Sequence, residues 1–331
     1  NDIRRTILWV IFGFSMVLLW DKWQLHNGNK ATFFPSPAAV GAAAPAAGAS
    51  APLAGAASVP ASTAPAVASI GASAVPGTPA PAAPAAREKI EVTTDVYRLT
   101  FDGEGGSLTH AELLKHADMT DKAKNFVLFD ESTQRVYVAQ TGLIGGSFPT
   151  HKTVMTAVPG PRALKDGENE LTIRFESPEQ GGVKLVKTWT LKRGAYDIAV
   201  KHEVVNVSST AVSPQLYLQL VRDGNKPPGE SSFYSTFTGP AVYTDAKKYQ
   251  KIEFKDIENG KVDIPKESPN GYVAMVQHYF ASAWLLADGV QRELFTRKVS
   301  DNLYSVGMIT PLGNIDPGTT KAVDARLFAG P

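Results

Sequence analysis

Glu170-Leu-Thr-Ile-Arg-Phe-Glu176 is the stretch on which the fold of this chain turns. Leu171, Ile173 and Phe175 take every second position, and Thr172, Arg174 and Glu176 take the others. Successive side chains of an extended backbone point to opposite faces, so the segment predicts a strand dry on one side and wet on the other. Working outward, Tyr196, Ile198, Val200 and Val204 share one face of a longer strand, with His202 between the last two. Leu216, Leu218 and Leu220 repeat the alternation, as do Val323, Ala325 and Leu327. Turn signals separate such segments: Asp102-Gly-Glu-Gly-Gly106, Lys165-Asp-Gly-Glu168, Lys192-Arg-Gly194, Asp223-Gly224 and Asn259-Gly260. About sixteen candidate strands follow from Lys89 onward, more than one open sheet holds, which predicts a mainly β domain of two large packed antiparallel sheets. Helical periodicity is confined to Leu108 to Lys115 and Gln277 to Ala283, and both could equally be strands or single turns.

Composition excludes more than it proposes. The 331 residues carry 33 basic and 32 acidic side chains, and a net charge of +1 speaks against a nucleic-acid binder that neutralises phosphates. Cysteine is absent, which removes disulfides, thiolate metal sites and cysteine nucleophiles. Charge is unevenly placed: residues 1 to 30 are +2, Ala31 to Ala86 hold no charged side chain, and residues 87 to 331 hold 29 basic and 30 acidic groups.

Three parts follow: an anchor at 1–25, a linker at 26–86 and a β-sandwich domain at 87–331. After Arg4 and Arg5, the run from Ile7 to Trp20 has Ser15 as its one polar side chain, and counting on to Trp23 gives 17 residues, about 25 Å of helix. Asp21-Lys-Trp-Gln-Leu-His26 follows, without the small residues that signal peptidase needs, so the run reads as one uncleaved transmembrane helix. Arg4 and Arg5 would hold the N-terminus in the cytoplasm, and Trp20 and Trp23 suit the opposite interface of the lipid bilayer. Residues 35 to 86 are almost wholly Ala, Pro, Gly, Ser, Val and Thr, and Pro45, Pro52, Pro60 and Pro65 break any helix the alanines would start. Treated as a flexible coil, the linker spans about 40 Å.

Candidate chemistry is sparse. Of the six histidines, His202 on the apolar side of its strand reads as a satisfied core or sheet-edge residue, and His278 in an aromatic segment could line a pocket. Gly103-Glu-Gly-Gly106 lacks the strand and long helix of a phosphate loop and reads as a tight turn. Ser231-Ser-Phe-Tyr-Ser-Thr-Phe237 reads either as a recognition loop or as an ordinary long one, with Phe233, Tyr234 and Phe237 as the candidate partner-facing residues. No catalytic, cofactor-binding or metal-binding residue is assigned.

Several strings resemble a known family. Arg4-Arg-Thr-Ile-Leu-Trp-Val-Ile-Phe with Trp20-Asp-Lys-Trp23 resembles the first transmembrane helix of the YidC family of bacterial inner-membrane protein insertases. Lys192-Arg-Gly-Ala-Tyr-Asp-Ile198, Tyr243 with Lys248-Tyr-Gln-Lys-Ile-Glu-Phe254, and most specifically Gly271-Tyr-Val-Ala-Met-Val-Gln-His-Tyr-Phe-Ala-Ser-Ala-Trp284 are similar to strings of its large periplasmic domain. The resemblance implies a β-supersandwich like that of galactose mutarotases. It also implies a place in the inner membrane, with residues 26–331 periplasmic, beside the Sec translocon. There the family assists insertion and folding of nascent inner-membrane proteins without a cofactor or nucleotide. The family continues beyond the position of Pro331 into five further transmembrane helices that hold the insertase core, so this chain is expected to be the anchor and an accessory docking domain, not an enzyme. The alternative is an anchored envelope carbohydrate-binding or aldose-epimerase-like protein, which would need a converging acid and base and stacked aromatics in one cleft.

Overall fold

The computed structural model describes residues 87–229 and 236–331. The expected transmembrane helix, with Arg4, Arg5, Trp20 and Trp23, lies outside the described residues, as does the linker. Among the described residues no helix is long and apolar enough to cross a membrane.

The chain weaves between two sheets. Strands β1 (Lys89–Thr93), β2 (Tyr97–Asp102), β3 (Ser107–Ala117), β4 (Asn125–Glu131) and β5 (Val136–Ile144) build half of the first sheet. It then crosses to the second with β6 (Thr156–Ala157), β7 (Glu170–Glu176), β8 (Val183–Lys192) and β9 (Asp197–Asn206), and returns with β10 (Gln215–Asp223). Strands β11 (Thr238–Thr244) and β12 (Lys248–Lys251), the one-turn helix α1 (Phe254–Glu258) and β13 (Glu267–Ser268) follow. The last strands are β14 (Tyr272–Gln277), β15 (Phe280–Leu286), β16 (Arg292–Ser300), β17 (Leu303–Pro311) and β18 (Thr320–Gly330). The spatial orders are β1-β2-β3-β4-β5-β10-β17-β16-β13 and β12-β11-β14-β15-β18-β9-β8-β7-β6. Each sheet thus has nine strands, and the expected pair of large antiparallel sheets is what forms. Both end on short strands: β1 and β12 have five and four residues, β13 and β6 two each.

Alternation places the core between the sheets. Leu171, Ile173 and Phe175 are buried while the residues between them are exposed. Trp189 of β8 and Trp284 of β15 lie 6.1 Å apart, and Phe101 of β2 packs against Trp189 at 5.1 Å from the facing sheet. Each buried indole removes about 200 Å² from water, worth about 5 kcal/mol before its ordering entropy is subtracted. Polar bonds also cross the interior: the Trp284 indole donates to the Gln219 carbonyl at 3.0 Å, and the Tyr137 hydroxyl donates to the Met275 carbonyl at 3.1 Å.

Three readings are refined. Leu108 to Lys115 is strand, within β3, where two register shifts against β4 blur the alternation. Gln277 to Ala283 is the end of β14, a tight turn with His278 at φ 46°, and the start of β15. Asn259-Gly260 ends α1, with Asn259 as its C-cap, and does not join two strands.

Candidate functional site

The outward face of the first sheet is closed at one end and open at the other. Around β5, β10 and β17 it is filled by its own side chains: the Tyr217 ring lies over Gly142 and that of Phe295 over Gly307, where any Cβ would collide with them. His151, from the loop after β5, completes the cover, its Nδ1 sharing a 2.6 Å hydrogen bond with the Tyr217 hydroxyl.

At β1 to β4 the same face opens into a cavity of about 640 Å³ lined by Lys89, Glu91, Arg98, Thr100, Thr109, His110, Asp130 and Glu131. Lys89, Glu91, Arg98 and Thr100 are the outward set of β1 and β2, opposite the buried Ile90, Val92 and Leu99, while Thr109 sits at the register shift between β2 and β3. His110 Nδ1 stands 3.4 Å from Asp130 Oδ1. Burial, reinforced by the Asp102 carboxylate, raises the pKa of Glu131, and burial raises that of Glu104, against the opposing pull of Arg87 at 2.5 Å. The cleft thus offers a histidine–carboxylate pair and a carboxyl whose pKa lies above its ordinary value, in mixed-charge surroundings and with no Phe, Tyr or Trp in its lining. His110 and Asp130 are twenty residues apart in the chain, and sequence spacing alone did not reveal their pairing. Among the described residues no group of three or more His, Asp or Glu could hold a metal ion.

A second polar group lies inside the core. Lys187 occupies an inward position of β8 between Leu185 and Trp189 and is fully buried. Its ammonium donates to the carbonyls of Gly105 and Thr141, both at 2.6 Å, and burial lowers its pKa to about 7. Its cross-strand neighbour is His202, whose Nε2 shares a 2.9 Å bond with Thr141 Oγ1. Burial, with Lys187 adding its charge, lowers both His202 and His151 to about 3. His202 is therefore a core histidine, as the pattern suggested, bonded through Nε2 but with its buried Nδ1 unpartnered, while nothing in the sequence distinguishes Lys187 from the chain's other lysines.

Of the candidate partner-facing residues, Phe233 and Tyr234 lie outside the described residues. Phe237 is half-buried just before β11; its ring covers Gly239, and Lys251 Nζ sits 5.2 Å above it. With Gly224, Asn225, Lys226, Thr236, Thr238 and Glu253 it lines a cavity of about 420 Å³. His278 stands next to this loop, bonded through Nδ1 to Thr236 Oγ1 at 3.0 Å, and is not among the lining residues.

Residues 89–331 match the family described as the YidC periplasmic domain. The chain belongs to the YidC family. A membrane protein insertase YidC of Janthinobacterium sp. (strain Marseille) is 47% identical over 332 residues, which cover 100% of this chain and 57% of that relative. YidC proteins of Herminiimonas arsenicoxydans and Cupriavidus necator are 47% and 49% identical, with 57% and 58% of their own lengths covered. The chain therefore spans less than two thirds of the YidC relatives it matches, and those relatives carry the name of an insertase, not of an enzyme. Solved structures of similar outline include a galactose mutarotase related enzyme from Lactobacillus acidophilus, at 9% identity and a TM-score of 0.45, covering 73% of this chain and 97% of that one. A galactose mutarotase-like protein from Lactobacillus casei gives 12% identity and 0.44, with 73% and 100% covered. Likeness at this level gives the YidC cleft no sugar chemistry.

Proposed function

We propose that this chain is the anchor and accessory periplasmic part of a membrane protein insertase, with residues 1–25 in the inner membrane, the N-terminus cytoplasmic, and 87–331 docking to the Sec translocon while nascent inner-membrane proteins pass elsewhere. The observation that carries this reading is the match of residues 89–331 to the YidC periplasmic domain. The domain has little for catalysis: the buried Lys187 and His202 are sealed in the core, and His151 is buried against Tyr217 on the outward face of the first sheet. Phe237, with Phe233 and Tyr234 beside it in sequence, is the protein-facing candidate. Deleting residues 87 to 300 from the full-length insertase should leave substantial insertion while weakening co-purification of Sec components. Complete loss of insertion, with the membrane core shown to be folded, would place an essential step in this domain and overturn the reading.

One observation favours the alternative, an aldose-epimerase-like activity: the His110–Asp130 pair beside Glu131 in an open cleft. Its missing aromatic platform counts against it. A mutarotation assay on the chain, with His110→Ala as control, decides between the two; turnover that His110→Ala abolishes would establish the enzyme.

A further inference from the structure

We propose that Lys187 is a proton-operated catch on the turn of residues 103–106, between β2 and β3: the uncharged amine holds the turn against the core, and uptake of a proton frees it together with the clasp it makes on Arg87. The catch spans the sandwich. Lys187 rises from β8 of the second sheet, flanked in register by Phe175 of β7 and His202 of β9. Its Nζ ends 2.6 Å from each of two carbonyls of the first sheet, Gly105 in the turn and Thr141 in β5. The turn is also tied to the loop after β5, since the Gly105 amide donates to the Thr153 carbonyl and the Met155 amide to the Gly103 carbonyl, both at 2.7 Å. It grips the head of the domain as well. Arg87 Nε lies 2.5 Å from Glu104 Oε2 and Arg87 Nη1 3.9 Å from Asp102 Oδ2, while the Gly103 amide donates to the Glu88 carbonyl at 2.8 Å.

Counting donors gives the direction of the effect. A neutral amine has two N–H groups and the two carbonyls accept both, whereas an ammonium brings a third. Lys187 is fully buried, and among the described residues no carboxylate pairs with it. On its own strand Leu185 and Trp189 flank it, and β7 presents Phe175. The titratable groups facing it are His202 of β9, bonded to Thr141 Oγ1, and His151 from the loop after β5; burial holds both uncharged near neutrality, so neither supplies a counter-charge. Asp102 and Glu104 are engaged with Arg87. The ammonium form thus keeps a full charge and one N–H without a partner, a costlier state than an ordinary orphaned donor. The lowering of the Lys187 pKa to about 7 agrees with this count. Of the three backbones that the catch joins, β8 and β5 each have a strand on both sides, and the turn has none, so the turn is the part that yields. Opening lets water reach the third N–H and takes up one proton, so the opening constant rises about tenfold for each unit that pH falls from about 9.5 to about 7. The catch is firmest in mildly alkaline medium and weakest at and below neutrality.

Hydrogen exchange of the full chain in detergent micelles, followed by mass spectrometry of its peptides from pH 7.5 to 9.5, tests the catch. Freely exposed amides exchange about tenfold faster for each pH unit in this range, and a proton-coupled opening becomes about tenfold rarer, so the two changes cancel. Peptides covering residues 103–106 should therefore exchange at a rate nearly independent of pH, and faster than those of β14 and β15 at every pH. Lys187→Met should restore the tenfold acceleration per unit in the turn. Arg87→Ala should speed exchange there severalfold at every pH and leave the profile flat. The window lies far from His151 and His202, which titrate at about 3. The wild-type profile needs no variant, and in carbon-13 lysine spectra of the wild type one Cε resonance should titrate with a midpoint of about pH 7. Turn amides that accelerate tenfold per unit in the wild type, or a flat profile that survives Lys187→Met, would overturn the proposal. So would turn amides as protected as those of β14 and β15, which would assign the proton to global unfolding, and an Arg87→Ala turn exchanging at the wild-type rate would remove the clasp.

Discussion

Replacing Lys187 by methionine should abolish a rise in stability that the wild-type chain shows between about pH 7 and about pH 9.5. In the fold burial lowers the Lys187 pKa from 10.5 to about 7, with the amine donating to two carbonyls and no carboxylate among its partners. Between these values the unfolded chain binds a proton that the folded chain does not, so stability increases with pH. Integrated from about pH 7 to about pH 9.5, the linkage amounts to about 3 kcal/mol, at 1.36 kcal/mol per unit of displaced pKa. Methionine keeps the length of the chain and has nothing to titrate, so its curve should be flat over the window. Its absolute stability reflects two opposed effects: relief from a buried amine and the loss of partners for the Gly105 and Thr141 carbonyls, at about 1 to 3 kcal/mol each. Urea unfolding read by tryptophan fluorescence suits the measurement, since Trp189 is two residues from Lys187 and buried. A wild-type curve that is flat or falls over this window, or a methionine variant that keeps the slope, would refute the reasoning.

On the acid side His151 and His202, both lowered to about 3 by burial, should make stability fall progressively as pH drops from about 6.5 toward 3, because the unfolded chain takes up protons first; His202→Gln should shallow that limb in acid titrations followed by circular dichroism. Gly271→Ala should cost about 3 kcal/mol in urea unfolding, since Gly271 sits at φ 96° and a Cβ there would run into the Tyr243 carbonyl oxygen. Phe237→Ala, which uncovers Gly239 from a half-buried site, should cost about 1 kcal/mol, a third or less of a core phenylalanine, and lower Tm by a few degrees in a thermal scan.

The sandwich was legible because its strands are wet on one side: β7 reads as pure alternation, and Leu216, Leu218 and Leu220 face the core as the pattern requires. Where both faces are dry the signal fades. From Tyr137 to Ile144 every residue of β5 is buried, since the core lies on one side and Tyr217 and His151 cover the other. Bulges hid β3, and a two-residue turn hid the β14–β15 hairpin inside a stretch with no break signal. The site was less accessible than the fold. His110 meets Asp130, and Lys187 meets Gly105 and Thr141, only through pairings that no local spacing encodes.

The brevity of the outermost strands bears on how readily the two sheets could be extended by another chain. A long free edge offers a ladder of unpaired amides and carbonyls on which any extended neighbour can crystallise as a further strand. Here the four edges carry five, four, two and two residues, and the longest, β1, is further obstructed at Thr93, whose amide donates to the Arg162 carbonyl at 2.9 Å. Obstruction is therefore local: β7 from Glu170 to Ile173 and β16 from Phe295 to Ser300 run on past their two-residue neighbours and pair with a strand on one side alone. What discourages an added strand along β7 is its outward charge, since Arg174 and Glu176 are exposed and already paired with each other at 3.0 Å, and a neighbour laid beside them would have to accommodate both.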